Sequence, residues 1–197
     1  MQNEIWLLAK LFSLERHASL PLFFQILEQL RSGESLFSVM LWSQFPGLTQ
    51  ILRKYKNDEL KKYQLDLEAS VTKGYCLLYP GHELYPEQFF VMPNPPYLLR
   101  MRGSPVWLTN QGLSVVGSRE PSMPSRNWMD EEFGKFLEGN SVFTVSGGAR
   151  GVDQKAHGLS LRHGRATVVL VPAGLDNLYP ASLKDWQQEV IEHGGAF

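Results

Sequence analysis

The chain has 197 residues, 43% of them hydrophobic, with 19 Lys and Arg against 20 Asp and Glu. That length holds one ordinary domain plus a smaller one, and the apolar fraction excludes wholesale disorder. A net charge of −1 excludes coating of nucleic acid by bulk charge and leaves room only for a local basic patch.

Cys76 is the single cysteine, which rules out a disulfide framework and any zinc site built on several thiolates; it is expected to act as a buried small hydrophobe. Residues 1–17 carry Glu4, Lys10 and Glu15, unlike a signal peptide. No apolar run approaches the ~20 residues of a membrane span. The expectation is a cytoplasmic protein without membrane contact.

Residues 1–72 read as a small all-helical domain, SAM-like or helix-hairpin-helix-like. Ile5, Leu8, Ala9 and Phe12 form one helical stripe, and Phe23, Ile26, Leu27 and Leu30 form a second behind Pro21. Leu48, Ile51, Leu52 and Tyr55 repeat the spacing after Pro46-Gly47. The turn Phe45-Pro46-Gly47-Leu48 is of a kind that precedes DNA-binding helical hairpins, but it has one glycine where those usually show two. Acids and bases balance over this region, which favours a bundle with solvated charges.

Residues 73–112 read as a strand, Tyr75 to Tyr79, and a proline-punctuated lead-in carrying Pro80, Pro86, Pro93, Pro95 and Pro96. Residues 113–197 then alternate strand and helix. Leu113–Gly117, Val142–Val145 and Thr167–Val171 are short, apolar and β-branched, as strands buried on both faces are. Helices are expected around Trp128 to Leu137, from Asp153 to His163, and around Leu183, Trp186 and Val190. The fold class is α/β, a Rossmann-like parallel sheet with right-handed crossovers.

Ligands of such sheets bind beyond the carboxyl ends of the strands. The three loops there are 117–122, 146–153 and 172–176. The second, Ser146-Gly147-Gly148-Ala149-Arg150-Gly151-Val152-Asp153, has three glycines between a strand and a helix. Its N–H groups and the helix dipole are expected to cradle a phosphate. The first loop adds Gly117, the hydroxyls of Ser118 and Ser122, and Arg119, a planar donor for phosphate. Arg150 and Lys155 complete the expected basic set, with Arg126 close by. From Arg100 to Arg165, nine Lys or Arg stand against six Asp or Glu.

Other phosphate chemistries fit poorly. G-x-G-x-x-G would require glycine at Ser146, and the expected ribose-binding carboxylate is missing, which argues against NAD. There is no G-x-x-x-x-G-K-[ST], and Ser146 lies outside a G-x-S-x-G elbow because position 144 is Thr. His157 and His163 are six residues apart and do not share a helix face, so they are read as structural. No nucleophile–base–acid set is visible. The expectation is a phosphodiester that is held and not cut, with no cofactor and no metal.

Val115-Val116-Gly117-Ser118-Arg119, then Ser146 to Asp153 with Ala156-His157, then Ala173-Gly174-Leu175-Asp176 with Tyr179-Pro180 resemble the three signature blocks of the DprA/Smf family. Tyr85-Pro86, Pro95-Pro96, Leu98 and Gly103 are similar to its lead-in segment. The resemblance implies an extended Rossmann fold and single-stranded DNA binding in a positively charged pocket. It also implies protection of incoming DNA in natural transformation and loading of the RecA recombinase. Pocket residues carried over by motif are Gly117, Ser118, Arg119, Ser146, Gly147, Gly148 and Gly151, while Asp153 is expected to brace the loop.

The family continues past the residues matching Gly194-Gly195-Ala196-Phe197 with further strands and an Arg-Asn-Arg block, and its dimer and RecA contacts lie mainly there. The expectations are therefore weaker DNA binding than in an intact member, and an exposed sheet edge that invites a homodimer. The runner-up is a nucleotide phosphoribohydrolase-like enzyme of a related fold. Its P-G-G-x-G-T-x-x-E block is poorly matched by Pro172-Ala173-Gly174-Leu175-Asp176. A third reading is a non-catalytic interaction module.

Overall fold

The computed structural model describes residues 1–16, 18–172 and 174–197 and divides into two compact units, Met1–Arg100 and Met101–Phe197. Among the described residues, no helix is long and apolar enough to cross a membrane.

The first unit holds α1 (Gln2–Ser13), α2 (Leu20–Arg31), α3 (Val39–Gln44), α4 (Pro46–Leu52) and α5 (Asn57–Thr72). Ser19 caps α2 through its hydroxyl on the Leu22 N–H, and Ser38 caps α3 on that of Leu41. Both expected apolar stripes are buried. Phe12, Phe23 and Tyr97 form an aromatic knot, with ring centroids 5.2–5.4 Å apart. The Tyr97 hydroxyl donates to the Ala18 carbonyl at 3.0 Å.

Tyr79, Tyr97 and Leu98 belong to this helical core. The segment read as a lead-in to the sheet thus packs, through residue 100, with the helices. Two short strands, β1 (Cys76–Leu78) and β2 (Leu99–Met101), pair within it. Cys76 is half-buried, short of the buried position expected for it. The Phe45–Leu48 turn is a one-residue break between α3 and α4. A Cβ on Gly47 would lie 2.8 Å from Leu22, so that glycine serves helix packing.

In the second unit, β3 (Gln111–Ser114), β4 (Val142–Ser146) and β5 (Thr167–Val169) form a parallel sheet in the order β3-β4-β5. Gln111 pairs with Val142, and Thr144 with Thr167. The β3–β4 crossover is a helical rod: α6 (Met123–Trp128), a π-helical turn (Met129–Phe133) and α7 (Gly134–Gly139). Then α8 (Val152–Arg162) links β4 to β5, and α9 (Leu183–Glu192) follows. One face of the sheet packs on Met129, Phe133, Leu137, Ala156 and Leu159; the other is covered by Val106 and Trp107. The right alternation of elements makes this an α/β, Rossmann-like unit.

Two expectations about the sheet change. The first strand is not buried on both faces. It begins at Gln111, two residues before the apolar run, and lies at the sheet's edge with Val116 79% exposed just beyond it. An open groove of about 660 Å³ runs beside it, lined by Leu113, Val115, Val116, Trp128, Met129 and Phe133 among others. The exposed edge is therefore that of β3. Beside β5, residues 195–197 already form the next rung: Ala196 N–H donates to Thr167 O, and Phe197 and Arg102 exchange backbone hydrogen bonds.

A buried polar chain ties α8 to the sheet. His157 Nδ1 meets Thr167 Oγ1 at 2.6 Å, Thr167 Oγ1 donates to Thr144 O, and Thr144 Oγ1 donates to Ser160 Oγ at 2.6 Å, whose own proton goes to Ala156 O. His157 is fully buried, and burial pushes its imidazole down to about 4 despite the nearby Asp153 carboxylate. The folded unit thus binds fewer protons than the unfolded chain below the ordinary histidine value of 6.5, so stability present at neutral pH drains as pH falls. Between pH 6.5 and 5 the loss is about 1.5 kcal/mol. Amide exchange in β4 and β5, corrected for its intrinsic pH dependence, will show this slope. His157→Gln will flatten it, and a flat wild-type profile would refute the assignment.

Candidate functional site: two joined loops at the strand ends

The loop after β3 and the loop after β4 are joined through the backbone. The Val152 N–H donates to Ser118 O at 3.0 Å. Gly151 has φ +85°, and a Cβ there would stand 2.3 Å from Ser118 O and 2.5 Å from Arg119 O. Only glycine permits both that backbone angle and that approach. Gly117 is held similarly close, since a Cβ on it would meet Val152 at 2.7 Å.

The hydrogen bonds sort the expected site residues into two groups. Ser146, Ala149, Asp153, Ser122 and Lys155 are engaged internally. Ser146 is buried, and its hydroxyl donates to Val115 O at 2.6 Å, pinning the end of β4 to that of β3. The Ala149 N–H turns back to Asp153 Oδ2 at 3.3 Å. Ser122 caps α6 on the Ser125 N–H. Lys155 Nζ donates to Asp130 Oδ2 at 2.7 Å, and Arg162 reaches the other oxygen of the same carboxylate. These partners, Lys155 first, hold the Asp130 carboxyl below its ordinary range.

Gly117, Ser118, Arg119, Gly147, Gly148, Arg150 and Gly151 form the second group. Their backbone N–H groups have no hydrogen-bond partner among the described residues. The guanidiniums of Arg119 and Arg150 are exposed and make no ion pair or hydrogen bond among the described residues. The Ser118 hydroxyl accepts the Glu120 N–H and keeps its own proton to donate. Arg126 is partly engaged, with Nε on Pro121 O at 3.1 Å.

The expected helix-dipole contribution is altered. The first N–H groups of α8 close onto protein carbonyls: Val152 on Ser118 O and Gln154 on Ala149 O. With the Asp153 carboxylate there too, an anion is offered loop N–H groups and guanidiniums in place of the helix end. A residue that sequence reasoning missed is Gln154. Its amide bridges Gly148 O at 3.3 Å and Ser182 Oγ at 3.2 Å, and no motif signals such a contact. Ala173 of the third loop lies outside the described residues, while Leu175 and Leu178 near it are buried.

Residues 76–197 match the family described as DNA recombination-mediator protein A. The chain is 26% identical over 148 residues to protein Smf of Borreliella burgdorferi, covering 75% of this chain and 47% of that protein. It is 27% identical over 172 residues to the DNA processing protein DprA of Streptococcus pneumoniae, covering 84% of this chain and 58% of that one. The chain therefore spans about half the length of these relatives. The X-ray structure of DprA from Streptococcus pneumoniae superposes with a TM-score of 0.68 at 23% identity, over 99% of this chain and 65% of that chain. DNA processing protein A from Helicobacter pylori, whose structure describes a single-stranded DNA binding mode, superposes with a TM-score of 0.52 at 29% identity, over 62% of this chain and 54% of that one. With the family's sequence pattern running through both joined loops and on to Phe197, this chain belongs to the DNA recombination-mediator protein A family.

Proposed function

We propose that the chain binds single-stranded DNA by its phosphodiester backbone at loops 117–122 and 146–151, holding the strand without cutting it. One observation carries this reading: two joined strand-end loops on which several backbone N–H groups, with the guanidiniums of Arg119 and Arg150 beside them, have no partner among the described residues. Such donors suit phosphate oxygens, and a flexible strand can turn successive phosphates into a small cradle. The single-stranded DNA binding of the Helicobacter pylori relative supports the same ligand. Shielding of incoming DNA in natural transformation and loading of RecA enter this proposal through family membership, with no surface assigned to RecA. The nucleotide-cleaving alternative gains nothing from the geometry, because the Asp153 carboxylate is buried against the Ala149 N–H.

We also assign pairing of two copies to the open β3 edge. Residues 111–118 carry no charge, so nothing there repels a second edge. Light scattering should give a mass above the 22.4 kDa of one chain, and Val116→Lys should return it to that value. A wild-type monomer at high concentration would refute the pairing.

Fluorescence anisotropy with oligo-dT across a salt series tests the binding site. Arg119→Ala and Arg150→Ala should each weaken binding about tenfold at low salt. Each should also flatten the log–log salt slope by about 0.7, one phosphate contact on a single strand. Lys155→Met should stay within about twofold, since its charge is committed to Asp130. Unchanged affinity in Arg119→Ala would sink the assignment.

Gly151→Ala should lose at least about tenfold in affinity with both guanidiniums intact, because the added methyl forces the loops apart. Wild-type affinity in a folded Gly151→Ala chain, checked by circular dichroism, would show that the junction does not matter.

A further inference from the structure

The first unit carries a pocket that this reading does not use. It opens among α3, α4 and α5, has a volume of about 140 Å³, and is walled by Phe37, Trp42 and Tyr55 over the buried Leu60. Arg53, which ends α4, and Asn57, which begins α5, complete its lining. Phe37 and Trp42 remain 40% and 36% exposed.

The polar groups at this pocket are as informative as its rings. The Trp42 indole N–H is committed to Leu36 O at 2.8 Å, which fixes that ring. Tyr55 is set edge-on against Tyr63, with centroids 5.9 Å apart. By contrast the Arg53 guanidinium and the Asn57 amide make no hydrogen bond or ion pair among the described residues. Fixed aromatic walls with a few unspent polar groups are the pattern of a site for a planar, polar ring.

Charge narrows the choice of ring. Residues 53–62 hold Arg53, Lys54, Lys56, Lys61 and Lys62 against only Asp58 and Glu59, whereas bases and acids balance over residues 1–72 as a whole. Lys54 is spent on Glu15, and Lys56, Lys61 and Lys62 are exposed. An aromatic slot with an uncommitted guanidinium on its lining, in a segment of net positive charge, matches a base with its phosphate better than a neutral or basic peptide.

We infer that this pocket seats one base of a single-stranded nucleic acid, stacked among Phe37, Trp42 and Tyr55, with Arg53 serving the adjoining phosphate or the base edge. The inference rests on the reading of the chain as a single-strand binder and adds to it a contact on the helical unit that is independent of the strand-end loops. The strand is thereby held in two chemically different ways. The loops grip phosphates whatever the base, while the pocket requires a base.

The test uses the full chain and two oligomers of equal length, oligo-dT and an abasic deoxyribose-phosphate strand, together with photocrosslinking of oligomers carrying 5-iodouracil. Wild type should prefer oligo-dT about fivefold over the abasic strand, the scale of one stacked base. It should also crosslink within residues 37–57. Arg53→Ala should weaken oligo-dT binding at least threefold and Arg53→Glu further. Both changes are at an exposed position and leave the packing of α4 and α5 alone.

Trp42→Ala should abolish the preference for bases while Arg119→Ala, acting on the loops, preserves it. If the Arg53 variants bind as wild type, or crosslinks fall only on the strand-end loops, the pocket is not a base site and the loop reading stands. If wild type binds neither strand, both readings fall. Quenching of tryptophan fluorescence by an indole-bearing peptide, abolished by Trp42→Ala and not reproduced by oligo-dT, would reassign the pocket to a protein partner and overturn the inference.

Discussion

The bond from the Val152 N–H to Ser118 O, with Gly151 lying against the Ser118 and Arg119 carbonyls, is the constraint on which the site depends. Strand ends in a parallel sheet come within reach of each other simply because the strands are neighbours, but their loops are otherwise free to splay. Here one backbone hydrogen bond and one glycine hold them in contact. An anion bound across both loops, as proposed, would meet donors already held together by these contacts. Preordering lowers the entropy charged to binding, which matters where each contact to phosphate contributes little.

The inward-turned groups follow from that arrangement. A loop rich in glycine has many accessible conformations, and its ordering must be supplied by other contacts. Ser146 binding Val115 O, Asp153 binding the Ala149 N–H, and Gln154 bridging Gly148 and Ser182 supply it from three sides. Each uses a polar group that the sequence offers as a possible ligand contact. The same residues could not also face a phosphate without releasing the loop. Beneath them the His157–Thr167–Thr144–Ser160 chain joins α8 to β4 and β5, so the platform under the loops is rigid as well.

How much of this was legible in the sequence varies with the range of the interaction concerned. The amphipathic stripes of α1 and α2 are local patterns, and the helices form where the stripes lie. The glycines and the strand-loop-helix order of residues 142–162 are likewise local, and the strand, loop and helix form where that order puts them. What the chain's pattern could not disclose is set by distant partners. Ser146 and Val115 are 31 residues apart, and Lys155 and Asp130 are 25 apart. A serine or lysine beside a glycine-rich loop reads the same whether it faces solvent or another part of the protein. The exposure of β3 has a similar origin. Its apolar run predicts burial, but burial depends on which strands flank it, and β4 flanks it on one side only.

A chain of net charge −1 can still offer a local surface suited to phosphate, because several of its bases are tied up by internal partners and others are not. Asp130 holds Lys155 and Arg162, Asp66 holds Arg100, and Arg165 is spent on the carbonyls of Leu137 and Glu138. On the two strand-end loops, the guanidiniums of Arg119 and Arg150 are left beside backbone N–H groups that have no partner among the described residues. Their attraction for an anion is short in reach, since screening at physiological salt confines exposed charges to about 8 Å. A diffuse basic protein gathers nucleic acid from a distance and binds wherever charge allows. If the proposed cradle binds phosphate, a chain of this net charge has little pull at a distance, and affinity comes from fitting the donors and not from the field around the whole molecule.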